Sequence, residues 1–122
     1  MTLRPESPRT RRVADRIVVE LAEILAEKAE DPRLKTLSVT GATVSRDLTS
    51  ARVWVNGTFP AEEEAHVLQA LARATPFFRS LLAPRLQLRT VPTLQFAIDR
   101  SIETGARIEQ LLREIENPKR EQ

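Results

Sequence analysis

Cysteine is absent from this chain of 122 residues, which excludes a disulfide frame, a thiolate nucleophile and a zinc site built on sulfur. Glycine is scarce, and Gly41, Gly57 and Gly105 stand far apart, so no glycine-rich loop exists to cradle a nucleotide phosphate. His66 is the only histidine; it follows Glu62-Glu63-Glu64 on an expected exposed helix face and reads as a surface residue. Asp47 and Asp99 could form a carboxylate pair, but each lies at a strand end, where aspartate shapes turns. No apolar run approaches the roughly 18 residues that a bilayer span needs, and the first six residues carry no signal-peptide hydrophobic segment. The expectation is a cytoplasmic, monomeric protein that is not an enzyme. No metal ion, cofactor, small-molecule substrate or membrane partner is expected.

Acid is missing from one long stretch. Although the whole chain balances 19 Lys and Arg against 17 Asp and Glu, the 34 residues from Ala65 to Ile98 contain no carboxylate side chain. Arg73, Arg79, Arg85 and Arg89 are the cations there. Sixteen of the 19 basic residues are arginine, whose planar fork suits phosphates and stacks on bases; a GC-rich genome would produce the same bias. A second arginine set, Arg9, Arg11, Arg12 and Arg16, crowds the start of the first expected helix, while Glu20, Glu23, Glu27, Glu30 and Asp31 crowd its end. Both placements oppose the helix dipole, each at a cost of about a few tenths of a kcal/mol. Such an arrangement suits arginines that serve an outside partner; a solvated face with intrahelical ion pairs is the alternative.

The periodicity gives the elements. Ser7-Pro8 is a helix start, with serine at the cap and proline in the first turn. Val13, Ile17, Leu21 and Leu25, with Val18 and Ile24, then form one face to about Ala29, and Asp31-Pro32 ends the helix. Two alternating strands follow between Thr36 and Val55, with a change of phase at Gly41 that predicts a bulge and a polar turn over Ser45–Ser50. Thr75-Pro76 predicts a break between two helices, because the residue before proline is pushed out of the helical region. Phe77 or Phe78, with Leu81 and Leu82, would supply the apolar face of the second helix, which Pro84 distorts or ends. Leu94, Phe96 and Ile98 make a third strand, and Ile108, Leu111, Leu112 and Ile115 a final helix over Ser101–Glu116. The four phenylalanines are expected in the core, and Trp54, out of phase with its strand, either exposed or under the last helix. The organisation is a flexible tail (1–7), one domain (8–116) and a second flexible tail (117–122). The class is α+β, with a three-stranded sheet covered on one face by helices.

Five fragments in register carry a resemblance: Arg12-Val13-Ala14-Asp15-Arg16-Ile17, Asp31-Pro32-Arg33, Val44-Ser45-Arg46-Asp47-Leu48, Leu88 through Phe96 (Leu-Arg-Thr-Val-Pro-Thr-Leu-Gln-Phe), and Asp99-Arg100-Ser101-Ile102-Glu103. In this order, from about Arg9 to Ile115, the chain resembles the bacterial ribosome-binding factor A family. The resemblance implies a type II KH-like domain. It also implies binding to the immature small ribosomal subunit and 16S rRNA near the decoding region, support for 5′-end processing, and a role in cold adaptation. KH domains clamp RNA with a GXXG loop between helices; the family has an Ala-x-Gly interruption there, which aligns with Ala74, Thr75 and Pro76. Proline in place of the glycine removes the N–H that a phosphate would meet.

The expected RNA contacts are thus Arg73, Arg79, Arg85 and Arg89 as one set and Arg9, Arg11, Arg12 and Arg16 as a second, with Arg46 at the hairpin turn as an outlier. Ser45, Asp47 and Leu48 match the family motif and are expected to shape that turn. The rival readings are a generic KH-like RNA binder and a protein-interaction domain that uses the acidic end of the first helix.

Overall fold

The computed structural model describes residues 7–116, without the side chains of residues 102–108 and 116. Apart from Ser7, the two expected tails lie outside the described residues. The first helix, α1 (Pro8–Lys28), begins as its sequence dictates: the Ser7 hydroxyl accepts from the Thr10 amide at 3.1 Å, with Pro8 in the first turn. Ala14, Ile17, Leu21, Ile24 and Leu25 are buried along one face, while Val19 on the opposite side is exposed. A short helix missed in the sequence, α2 (Pro32–Lys35), follows at once. Asp31 caps it by accepting from the Arg33 amide at 3.0 Å, and Leu34 is its buried residue.

Strands β1 (Ser38–Val44) and β2 (Ser50–Asn56) pair antiparallel, and β2 pairs in parallel with β3 (Thr93–Ile98), giving the sheet order β1-β2-β3. The parallel pairing needs a long crossover, which the helical excursion supplies. Register slips between Val39 and Gly41, so the expected bulge is present and Thr40 is its extra residue. The slip restores one apolar face: Val39, Ala42 and Val44 join Ala51, Val53, Val55, Leu94, Phe96 and Ile98 in the core. Arg52 and Trp54 alternate onto the other face, where Arg52 is exposed and Trp54 half-buried.

After a single 3₁₀ turn (Ala61–Glu63), α3 runs unbroken from Glu64 to Leu86 and carries both Pro76 and Pro84 inside it. The break expected at Thr75-Pro76 is therefore not an end of the helix, and Pro84 does not end it either. Proline at position 76 removes the amide that the Ala72 carbonyl would accept from, at a usual cost of about 3 kcal/mol. Two features offset this. Ala72 is exposed, so its carbonyl can turn to water, and buried Val67, Ala70, Leu71, Phe78 and Leu82 hold both halves against one core. Thr75 donates its hydroxyl back to the Leu71 carbonyl at 2.8 Å. The helix ends on Gln87 in the left-handed region (φ 53°). Phe78 is fully buried and Phe77 is 45% exposed, so Phe77 does not belong to the expected core. The last helix, α4, spans Ser101–Glu116 as expected. Its Leu111, Leu112 and Ile115 are exposed.

The hairpin turn is built by its own side chains. Ser45 Oγ accepts from the amides of Thr49 (3.2 Å) and Ser50 (3.0 Å), and Asp47 Oδ1 accepts from the Thr49 hydroxyl (2.7 Å), the Ser45 hydroxyl (2.7 Å) and the Thr49 amide (3.1 Å). Leu48 is left-handed (φ 62°), a conformation that costs a non-glycine residue about 1–2 kcal/mol. The Thr49 and Ser45 hydroxyls hold the Asp47 carboxyl below the usual carboxylate range. A carboxyl lowered by folding stabilises the fold above its unfolded pKa, about 3.9, and ceases to do so as pH falls through the folded value. The stability gap between the wild-type chain and Asp47→Asn is therefore expected to be larger at pH 6 than at pH 2, read by denaturant titration at both.

Candidate nucleic-acid interface

The arginines sort by what they already hold. Arg79 is turned inward: its Nε donates to the Pro92 carbonyl at 3.2 Å and its Nη2 to the Val91 carbonyl at 2.7 Å. It thereby fastens the segment entering β3 onto α3. Charged donors on backbone carbonyls are worth about 1.5–3 kcal/mol. Arg79→Ala is expected to lower the unfolding free energy by about 2 kcal/mol and leave the salt dependence of any RNA binding unchanged; urea denaturation and a salt series check the two halves.

Arg85 is paired as well. Its Nη1 donates to Glu20 Oε2 at 2.9 Å and lies 3.5 Å from Glu23 Oε1, joining the end of α3 to the middle of α1. The hydrogen bond to Glu20, with the charges of Glu23 and Glu20, raises the Arg85 pKa further above its usual value. The other oxygen of Glu20 takes Arg16 Nη2 at 3.0 Å, an i,i+4 pair. Glu20 is the one buried carboxylate among the described residues. The sequence reading placed it in an acidic run, yet its position was legible: it falls three residues after Ile17 and one before Leu21, inside the apolar stripe of α1.

Arg9, Arg11, Arg46 and Arg89 are exposed, and their side chains make no hydrogen bond or ion pair among the described residues. Arg73 is exposed as well, and its charge, after the nearer Arg33, helps to hold the Asp31 carboxyl below the usual range. Arg12 makes only a long 3.4 Å contact to the Pro8 carbonyl. Arg52, exposed on the far face of the sheet, was passed over in the sequence; its alternation between buried Ala51 and Val53 was the available signal.

The two arginine sets read from the sequence are regrouped in space. Arg12 and Arg16 from α1 meet Arg85 from α3 around one cleft of about 390 Å³. Arg73 lies twelve residues back along α3, about 18 Å by helical rise, in a different cleft of about 420 Å³ between α3 and the end of α1. Ala74 lines that second cleft, with exposed Phe77 beside it. Thr75 faces a third, of about 480 Å³, between α3 and β3. The residues aligned with the KH loop are thus helix interior, and Pro76 presents no amide to a phosphate. Asp99, the other aspartate of the suspected carboxylate pair, accepts from the Thr40 hydroxyl at 2.5 Å and from the Ser101 amide at 2.8 Å, joining the β1 bulge to the start of α4. His66 is exposed, 3.3 Å from Glu63. Among the described residues no three His, Cys, Asp or Glu side chains converge as a metal site would require.

A three-stranded sheet of order β1-β2-β3 with helices on one face and a parallel β2–β3 crossover is the architecture of a KH-like domain of type II. Residues 9–112 match the family model described as Ribosome-binding factor A. A ribosome-binding factor A from Thiobacillus denitrificans is 44% identical over 105 residues, 86% of this chain and 85% of that one. Another, from Alkalilimnicola ehrlichii, is 40% identical over 116 residues, 94% of this chain and 89% of that one. The crystal structure of ribosome-binding factor A from Thermus thermophilus is similar with a TM-score of 0.65 at 30% identity, over 75% of this chain and 98% of that one. A homology model of the Thermus thermophilus protein, fitted into the electron cryo-microscopy map of a 30S complex, has a TM-score of 0.63 at 31% identity, over 75% of this chain and 96% of that one. The chain belongs to the ribosome-binding factor A family.

Proposed function

We propose that this chain is a non-catalytic assembly factor that binds the immature small ribosomal subunit as a monomer, through 16S rRNA. There it supports late maturation and 5′-end processing, most needed in the cold, when misfolded RNA escapes its traps slowly. The observation that carries this reading is the Thermus thermophilus relative fitted into a 30S complex. The chemistry agrees with it: Arg9, Arg11, Arg46, Arg73 and Arg89 have no ion pair within the described fold, and their forks suit phosphate oxygens. Contacts of that kind recognise the shape and backbone of RNA more than its sequence.

The test is co-sedimentation with free small subunits and with intact ribosomes across a salt series. Selective, salt-sensitive retention on the free subunit is the expected result. Equal affinity for unrelated structured RNAs would reduce the reading to a generic KH-like binder. Salt-insensitive binding to a protein, with no binding to RNA, would replace it with an interaction domain, for which exposed Phe77 is the structural feature in favour.

A further inference from the structure

We propose that the cleft between the start of α1 and the end of α3 seats one phosphate group, held jointly by Arg12, Arg16 and Arg85; on the functional reading above, it is a phosphate of the RNA backbone. The cleft has a volume of about 390 Å³, and those three arginines line it together with Val13, Leu86 and Gln87. Arg12, Arg16 and Glu20 follow one another at four-residue intervals, so they form a single stripe on α1. Arg85 meets that stripe from the other helix.

Glu20 is what turns a loose group of arginines into a fixed one. Its carboxylate is 10% exposed and uses one oxygen for Arg16 (3.0 Å) and the other for Arg85 (2.9 Å). Each of these contacts uses one nitrogen of a guanidinium that carries five N–H donors, so both arginines keep donors for a ligand. Holding them in place beforehand lowers the conformational entropy lost when a ligand arrives. Glu20 and Glu23, with Glu27 acting on Arg85 at longer range, offset the charges of Arg16 and Arg85. The charge open to an anion is that of Arg12, which lines the cleft and has no carboxylate partner among the described residues. A tetrahedral phosphate presents several acceptor oxygens to such a converging set. The last carbonyls of α3 act against an anion at this end of the cleft, so the guanidinium donors must outweigh them.

Two measurements on the full chain test this. In the first, arginine Nε–H resonances are followed by NMR while inorganic phosphate is added. Arg12, Arg16 and Arg85 are expected to shift along one shared saturation curve while Arg46 and Arg52 scarcely move; equal shifts at all exposed arginines would overturn the site. In the second, small-subunit retention is measured against salt for Arg12→Gln, Arg16→Gln and the double variant. Arg85 is left in place because it ties α1 to α3. One shared phosphate limits the double variant to a slope loss of about 0.7–0.9. A loss near twice that would mean two phosphates held separately and would refute the shared seat. An unchanged slope would remove RNA as its ligand. If the wild-type chain ignores small subunits altogether, the ribosomal reading fails, and a shared phosphate curve in the first measurement upholds the seat on its own.

Discussion

Phe78→Ala is expected to lower the unfolding free energy by about 3–5 kcal/mol, whereas Phe77→Ala changes it by about 1 kcal/mol or less. The two side chains are sequence neighbours of identical chemistry, so the difference isolates where the fold puts them. Phe78 is fully buried and meets Phe96 of β3 edge-on, with ring centroids 6.1 Å apart and planes at 70°. It belongs to the layer where α3, α1 and the sheet close on one another. Its removal leaves a cavity that a close-packed interior refills only in part. Phe77 is 45% exposed, at the edge of the cleft between α3 and the turn that leads into α2, so its loss removes less buried area than that of Phe78 and leaves no enclosed cavity. Equilibrium urea denaturation of both variants reads the difference directly. Similar losses for the two would mean that α3 is rotated from the phase described above.

That phase could have been read in the sequence, and the reason it was not is instructive. Leu71, Phe78 and Leu82 stand at i, i+7 and i+11, the spacing of one helical face. Assuming a break at Thr75-Pro76 uncouples the residues on either side, and the phase that would have separated Phe78 from Phe77 is lost. The rule about proline is sound for an isolated helix. Here burial on both sides of residue 76 outweighs it. Elements whose signals were mutually consistent were legible: α1 from its cap and its stripe, the bulge from the phase change near Gly41, the hairpin turn from Ser45 and Asp47. The four-residue α2 was hidden because Asp31-Pro32 ends one helix and opens the next with the same two residues.

The candidate site is legible in the sequence as composition but not as geometry. An acid-free stretch correctly marks where positive charge gathers along the chain, but it says nothing about carboxylates brought in from elsewhere. Glu20 reaches Arg85 across 65 positions, and Arg79 is engaged by backbone carbonyls, which no count of charged residues can reveal. What survives is a smaller exposed set, together with a regrouping of Arg85 with Arg12 and Arg16 that sequence order conceals.

The exposed set makes the strongest quantitative prediction about binding. Replacing Arg9, Arg11, Arg73 and Arg89 by glutamine is expected to lower the slope of log affinity against log salt by about 3 on small subunits, at roughly 0.7–0.9 per lost phosphate contact. Counterion release then implies a weakening of roughly 100-fold at 200 mM salt and roughly 10⁴-fold at 50 mM. Stability should hardly change, because these side chains are exposed and surface substitutions of this kind usually stay within about 0.5 kcal/mol. Arg79→Ala is the matched opposite: it loses stability and keeps the slope. The contrast separates charge aimed outward from charge used to hold the fold. A quadruple variant with the wild-type slope would show that the RNA is held elsewhere, and Arg46 and Arg52 would be the next to replace. A slope loss near 1 would mean that only one of the four meets a phosphate. With Arg73 near the middle of α3, about 18 Å from the Arg85 end, a full loss also requires an RNA surface wide enough to span that distance. A folded subunit offers such a surface and a single nucleotide does not.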